Sequence, residues 1–251
     1  MMIMNELVGV YALWYRELKV FLREKSRIVS SIVNPLIWLI AFGGGIGASF
    51  FPGANYTVFI FPGIIMLMTL FTSIFFGLYI VLDKKLDFFK EVLVAPLSRI
   101  TLFVGKMLGG CTDALIQAAL IIVIGLFFNV QYTAYSVIAI IFFITMIAVG
   151  TTSFGLALGS QLNSFEGFGL VQSFVIFPLY FLSGALYPLN NLPEWLFVIT
   201  RINPLTYIVD GMRGALLGLN TFPVYQDALI ALGFAVVMVA VGTYAFIKMR
   251  Y

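Results

Sequence analysis

Lys106 follows Gly105, the pair that would close a phosphate-binding loop. That pattern also demands glycine at position 100 and a hydroxyl residue at 107, where this chain has Ile100 and Met107. Without the glycine and the hydroxyl, no nucleotide site is expected on the chain. Histidine is absent, which removes the commonest metal ligand and the usual general base at neutral pH. The single cysteine, Cys111, lies in an apolar run and can form no intrachain disulfide. Asp113 is the one acid inside an apolar run long enough to cross a bilayer. An ionisable group so placed marks an ion pathway or a paired structural charge. Lys106 two turns away, or a donor from a neighbouring span, favours pairing. The residue types thus offer no catalytic set, no metal-ligating set and no cofactor-binding set.

Such isolated groups would be positioned by a bundle dissolved in lipid. Of the 251 residues, 62% are hydrophobic and 10% charged, too few polar residues to cover a soluble domain of this size. A helix needs about 20 apolar residues to cross about 30 Å of hydrocarbon. Six runs qualify: residues 28–51, 58–82, 107–128, 134–160, 168–187 and 228–247. The expected fold is an all-α integral membrane protein with six transmembrane helices in a single domain over residues 1–251. Six spans put both termini on one side. All lysines and arginines except Arg201 and Arg213 precede the first span, lie between the second and third, or follow the sixth. By the positive-inside rule both termini are cytoplasmic, in a plasma (inner) membrane. The N-terminus has no cleavable signal pattern and is expected to be retained.

Three segments break the membrane pattern. Residues 5–27 place Leu7, Val10, Tyr11, Trp14, Leu18, Phe21 and Leu22 at helical spacing beside Arg16, Lys19, Arg23 and Arg27. They read as an amphipathic interfacial helix that contacts membrane lipids. Residues 83–106 form a charged loop with a short amphipathic helix near Phe89, Val92 and Leu93, interrupted by Pro96. Ser98 caps the helix that carries Arg99 into span three. Residues 188–220 hold Pro188, Pro193, Glu194, Asn203, Pro204, Asp210 and Arg213. Asn203 before Pro204 predicts a helix start, Gly218 a stop, and Pro193–Glu194 the first turn of another short helix. Two such helices are too short to span and too apolar for water, so they should re-enter the outer leaflet or cap the bundle. Gly43 with Gly47, Gly105 with Gly109, and Gly155 with Gly159 have the spacing of close helix packing. Pro35, Pro62 and Pro178 should kink their spans.

Two segments together resemble the membrane subunits of type 2 ATP-binding-cassette exporters. "FFKEVLVAPLSRITLFVGKMLGG" is similar to that family's cytoplasmic coupling segment, and "FLSGALYPLNNLPEWLFVITRINPLTYIVDGMRGALLG" to its signature between spans five and six. The resemblance implies a homodimer seated on two separate nucleotide-binding ATPase subunits, with ATP and Mg on those partners and none on this chain. It implies coupling through Phe88, Phe89, Glu91, Leu93, Pro96 and Arg99. It also implies an outer gate at residues 188–220, and a path lined by spans one, two and five. Mapped here, the path residues are Phe71, Phe75, Tyr79, Gln172, Phe177, Tyr180 and Ser183. Their aromatic faces suit a hydrophobic or amphipathic cargo, drug-like or lipid-like. A lipid-linked glycan or polysaccharide is the alternative cargo. A nucleotide-independent channel or secondary transporter is the alternative of another class. Nothing in the chain suggests a nucleic-acid partner.

Overall fold

The computed structural model describes residues 2–47, 56–85 and 97–249. These form nine helices: α1 (Met2–Arg23), α2 (Lys25–Trp38, continued by a π-helical stretch, Leu39–Ile46), α3 (Tyr56–Lys85), α4 (Arg99–Phe127) and α5 (Ala134–Gln161). Then come α6 (Phe165–Val171, a π turn Gln172–Ile176, and Phe177–Phe181), α7 (Glu194–Ile202), α8 (Pro204–Leu217) and α9 (Val224–Ile247).

Among the described residues, five segments are long and apolar enough to cross a membrane: Lys25–Gly45, α3, α4, α5 and α9. Phe165–Phe181, which overlaps the expected fifth span (168–187), is shorter. At 1.5 Å per residue it reaches roughly 26 Å, a little under the hydrocarbon thickness. Its π turn ends one residue before Phe177–Pro178, and the missing N–H and bulky ring of Pro178 disturb that preceding turn. In α2 a π-helical stretch begins four residues after Pro35. Pro62 is accommodated within continuous helix.

Two sequence boundaries need correction. The helix expected over 5–27 ends at Arg23, because Glu24 takes a non-helical ψ of 80°. Arg27 therefore starts the first span. Residues 99–106, grouped with the charged loop, are the first two turns of α4, capped where Ser98 accepts from the Thr101 N–H.

The spanning helices alternate in direction, and α3 is the axis. Its residues from Ile60 to Leu70 are all buried, in a core shared with Ile121, Phe143, Ile144, Ile147, Ile208 and Met212. Helices α3 and α5 meet at backbone distance. A Cβ added to Gly77 would overlap the Gly155 carbonyl, and one added to Gly159 would overlap the Gly77 carbonyl. Only glycine permits this approach. Helix α1 runs beside the first turns of α4 in the same direction: Gly9 meets Leu97 and Thr101, Gly105 meets Leu13, and Gly109 meets Glu17. Trp14 Nε1 donates to Thr112 Oγ1 at 2.9 Å. This end of the bundle holds most of the basic residues and both ends of the described chain. At the opposite, far end, α8 inserts among α3, α5 and α9, with Gly211 against the ring of Phe143. Outward faces are apolar, as on α9 at Leu229, Leu232, Val236, Val237 and Val241, which suits a hydrocarbon solvent.

Candidate functional site

The basic end buries more charge than its sequence neighbourhoods suggest. Arg27 on α2 donates from Nη1 to Asp113 Oδ2 on α4 at 3.2 Å and from Nη2 to the Tyr79 hydroxyl on α3 at 2.5 Å. Its guanidinium also lies 4.8 Å from the centre of the Tyr79 ring. Asp113 is fully buried, and its Oδ1 has no partner among the described residues. One layer nearer the basic end, buried Lys106 on α4 donates to Asp83 Oδ2 on α3 at 2.7 Å and to Glu17 Oε1 on α1 at 3.4 Å. Charges removed from water persist only when paired. These two layers therefore fix four helices against one another. Asp113 thus has the paired role favoured from sequence, but its donor is Arg27 rather than Lys106.

Beside Arg27 opens a cavity of about 210 Å³ between α2, α3 and α4. Phe71, Phe75 and Tyr79 line it from α3, Ser30 and Asn34 from α2, and Gln117 from α4. The Thr72 hydroxyl donates to Gln117 Oε1 at its wall. Aromatic faces with a few amide and hydroxyl groups suit a molecule that is mainly apolar and carries hydrogen-bonding substituents.

The structure does not bring all seven expected path residues together. Phe177 lies behind the wall, its ring centroid 5.2 Å from that of Phe71. Gln172 occupies the π turn of α6 and does not line the cavity. Tyr180 is buried, and the Ser183 hydroxyl turns back to donate to the Tyr180 carbonyl at 2.6 Å. Ser30, Asn34 and Gln117 are cavity residues that sequence reasoning missed. A polar face at helical spacing, Ser30 with Asn34, was the available signal.

Of the expected coupling residues, Phe88, Phe89, Glu91, Leu93 and Pro96 lie outside the described residues. Arg99 is described, and Nη1 donates to the carbonyls of Ile247 at 2.5 Å and Met249 at 3.1 Å, at the C-terminal end of α9. Next to it, the Glu6 carboxylate accepts from the Ser98 N–H and hydroxyl and from the Thr101 hydroxyl. The Thr101 bond, aided by those of Ser98, holds Glu6 below its usual range. The start of α4 is thereby gripped by α1 on one side and α9 on the other.

At the far end Pro188 precedes a short 3-10 turn, Leu189–Asn191, while Pro193 and Glu194 open α7 and are exposed. Asn203 accepts from the Leu205 N–H at 3.0 Å and donates to the Leu179 carbonyl at 2.6 Å, so one side chain caps α8 and ties it to α6. Pro204 is the first residue of α8, and Gly218 ends the helix at φ +68°. Asp210 accepts from the N–H groups of Thr221 and Phe222, each as short as 2.8 Å. Arg213 donates to the carbonyls of Gly184 at 3.0 Å and Ala185 at 3.1 Å, and stacks 4.0 Å from the centre of the Phe59 ring. Helix α8 is thus tied to α6, to the connection that follows α6 and to the connection that precedes α9.

A model of the ABC-2 type transporter family matches residues 8–217. The inner membrane transport permease YadH of Escherichia coli K12 is 30% identical over 225 residues, 86% of each chain. The ycf38 transport permease of Cyanophora paradoxa is 31% identical over 204 residues, 78% of this chain and 70% of the relative. Nodulation protein J of Rhizobium leguminosarum bv. viciae is 26% identical over 200 residues, 77% of this chain and 76% of the relative.

Proposed function

The chain belongs to the ABC-2 type transporter family as a permease subunit, and on that premise we propose that it is the membrane half of an exporter driven by a separate ATPase. ATP and Mg bind that partner, and two copies of this chain pair across the membrane. The basic end faces the cytoplasm, a reading supported by the distribution of lysine and arginine. Helix α6 serves as the fifth of six spans, its shortfall met by local thinning of the bilayer. Helices α7 and α8 re-enter the outer leaflet and close the far end.

The segment of residues 83–106 receives the push of the ATPase, and Arg99 passes it on. Its guanidinium holds the end of α9, while neighbouring Ser98 and Thr101 hold Glu6 of α1. Movement of the loop relative to the bundle must therefore carry α1, α4 and α9 with it. The apolar outer side of α1, with Leu7, Tyr11, Tyr15 and Leu22 exposed beside Lys19 and Arg23, rests in the inner interface among anionic headgroups.

The observation that carries the reading is the cavity between α2, α3 and α4. It joins Phe71, Phe75 and Tyr79 to Ser30, Asn34 and Gln117 in the inner half of the bundle. It suits a hydrophobic or amphipathic compound taken from the cytoplasm or inner leaflet. A screen of amphipathic compounds for binding to the purified protein in lipid nanodiscs tests it. Wild type binds at least one compound, and Asn34→Trp, which fills the cavity, loses it. A compound that binds both equally places the cargo elsewhere.

A further inference from the structure

Asp227, in the first turn of α9, is fully buried, and neither carboxylate oxygen has a hydrogen-bond partner among the described residues. Asp210 stands on α8, which packs against α9. The two acids have opposite surroundings. Asp210 is satisfied as an anion by the Thr221 and Phe222 N–H groups. Asp227 receives nothing comparable. Arg213, the cation on α8, has its guanidinium committed to the Gly184 and Ala185 carbonyls and the face of Phe59. On the other elements packed against α9, α5 has no charged residue and only Tyr135 as a titratable group there. The charged residues of α4, Arg99, Lys106 and Asp113, lie in the half toward the basic end. Tyr207 of α8 spends its hydroxyl on the Arg201 carbonyl.

Position in a first helical turn favours a carboxylate only weakly. Enclosing an unpaired carboxylate costs several times more. The anionic form loses that comparison, and a second negative charge at Asp210 adds to the imbalance.

We propose that Asp227 is a proton-binding site, occupied while α8 is seated on α9. In that state it is a neutral carboxylic acid beside an ionised Asp210. When α8 leaves its seat, water reaches the carboxyl, the O–H bond breaks, and the proton passes to solvent with Asp227 left as carboxylate. Opening of the far end is then linked to release of one proton, and acid on that side favours closure.

Infrared spectroscopy of the full-length protein in lipid vesicles reads the proton directly through the carbonyl stretch of a protonated carboxylic acid. At neutral pH the wild type should show this band, Asp113→Asn should keep it, and Asp227→Asn should lose it. Asp227→Asn, a neutral isostere of the proposed form, should also keep the wild-type melting temperature. Asn203→Ala, which loosens α8 from α6 without changing any charge, should shift loss of the band on titration toward lower pH, with about tenfold weaker proton affinity. A wild type without the band, a band that survives Asp227→Asn, an Asp227→Asn protein that fails to fold, or a titration unmoved by Asn203→Ala would each overturn the proposal.

Discussion

Arg27 and Asp113, 86 residues apart in sequence, meet at 3.2 Å between the first span and α4, with the Asp113 side chain wholly enclosed. Removing one partner leaves the other without its counter-charge. Arg27→Ala should lower stability by about 3 kcal/mol, the scale for breaking a buried pair. The double variant Arg27→Ala/Asp113→Ala should lose less than the sum of the two single losses. Thermal unfolding in lipid nanodiscs of the four proteins checks this, and additive losses would show that the two residues do not act as a pair.

Backbone contact between α3 and α5 gives a second expectation. Gly77→Ala places a methyl group against the Gly155 carbonyl, where no flexible side chain can yield. Overpacking of this sort costs about 1–3 kcal/mol. Gly233→Ala is the control, since nothing lies within 4 Å of its added Cβ. The first variant should melt earlier than wild type, and the second should melt at or above it because alanine favours helix.

The Glu6 contact to the start of α4 should depend on acid. Bonds from Thr101 and Ser98 hold its carboxyl below the ordinary 4.5. A depressed folded value means that its stabilisation is complete above 4.5 and fades as pH falls through the lower, folded value. Spin labels on α1 and α4 should report a loosening below about pH 4.5 in wild type. Glu6→Gln should show no such transition. A transition of equal size in both would assign it to another group.

Filling the cavity and weakening the relay should separate in kinetics. With the ATPase partner present, Asn34→Trp should reduce transport about tenfold while leaving nucleotide hydrolysis within twofold of wild type. Arg99→Ala should reduce transport and cargo-stimulated hydrolysis together, because it frees the end of α9. Parallel measurements of flux and phosphate release distinguish the two patterns, and identical behaviour of both variants would refute the division of roles.

Helix positions were largely legible because hydrophobic runs and caps are local signals. Ser98, Asn203 and Gly218 do in space what their types imply. Helix α6 stops at Phe181, shortly before Gly184 takes a φ of +73°, a glycine visible in the sequence although the turn was not. What stayed hidden depends on contacts between distant segments. The spacing of residues 5–27 continues one helical face through Arg27, and only the break at Glu24 turns Arg27 toward Asp113. Asp227 stands one residue before the last apolar run, whereas the helix begins at Val224 and buries it. Aromatic residues of α3 and α6 share a spacing, and only packing separates Phe71 and Phe75, which line the cavity, from Tyr180, which is enclosed.

Reconstitution tests the central claim most directly. The chain should be placed in proteoliposomes with and without the ATPase subunit of the same organism, and flux of an identified cargo followed on addition of MgATP. The expected result is transport only when partner and nucleotide are both present, abolished by a non-hydrolysable analogue. Sustained cargo flux through this chain alone, without nucleotide, would contradict an ATP-driven permease and establish a channel or secondary transporter in its place.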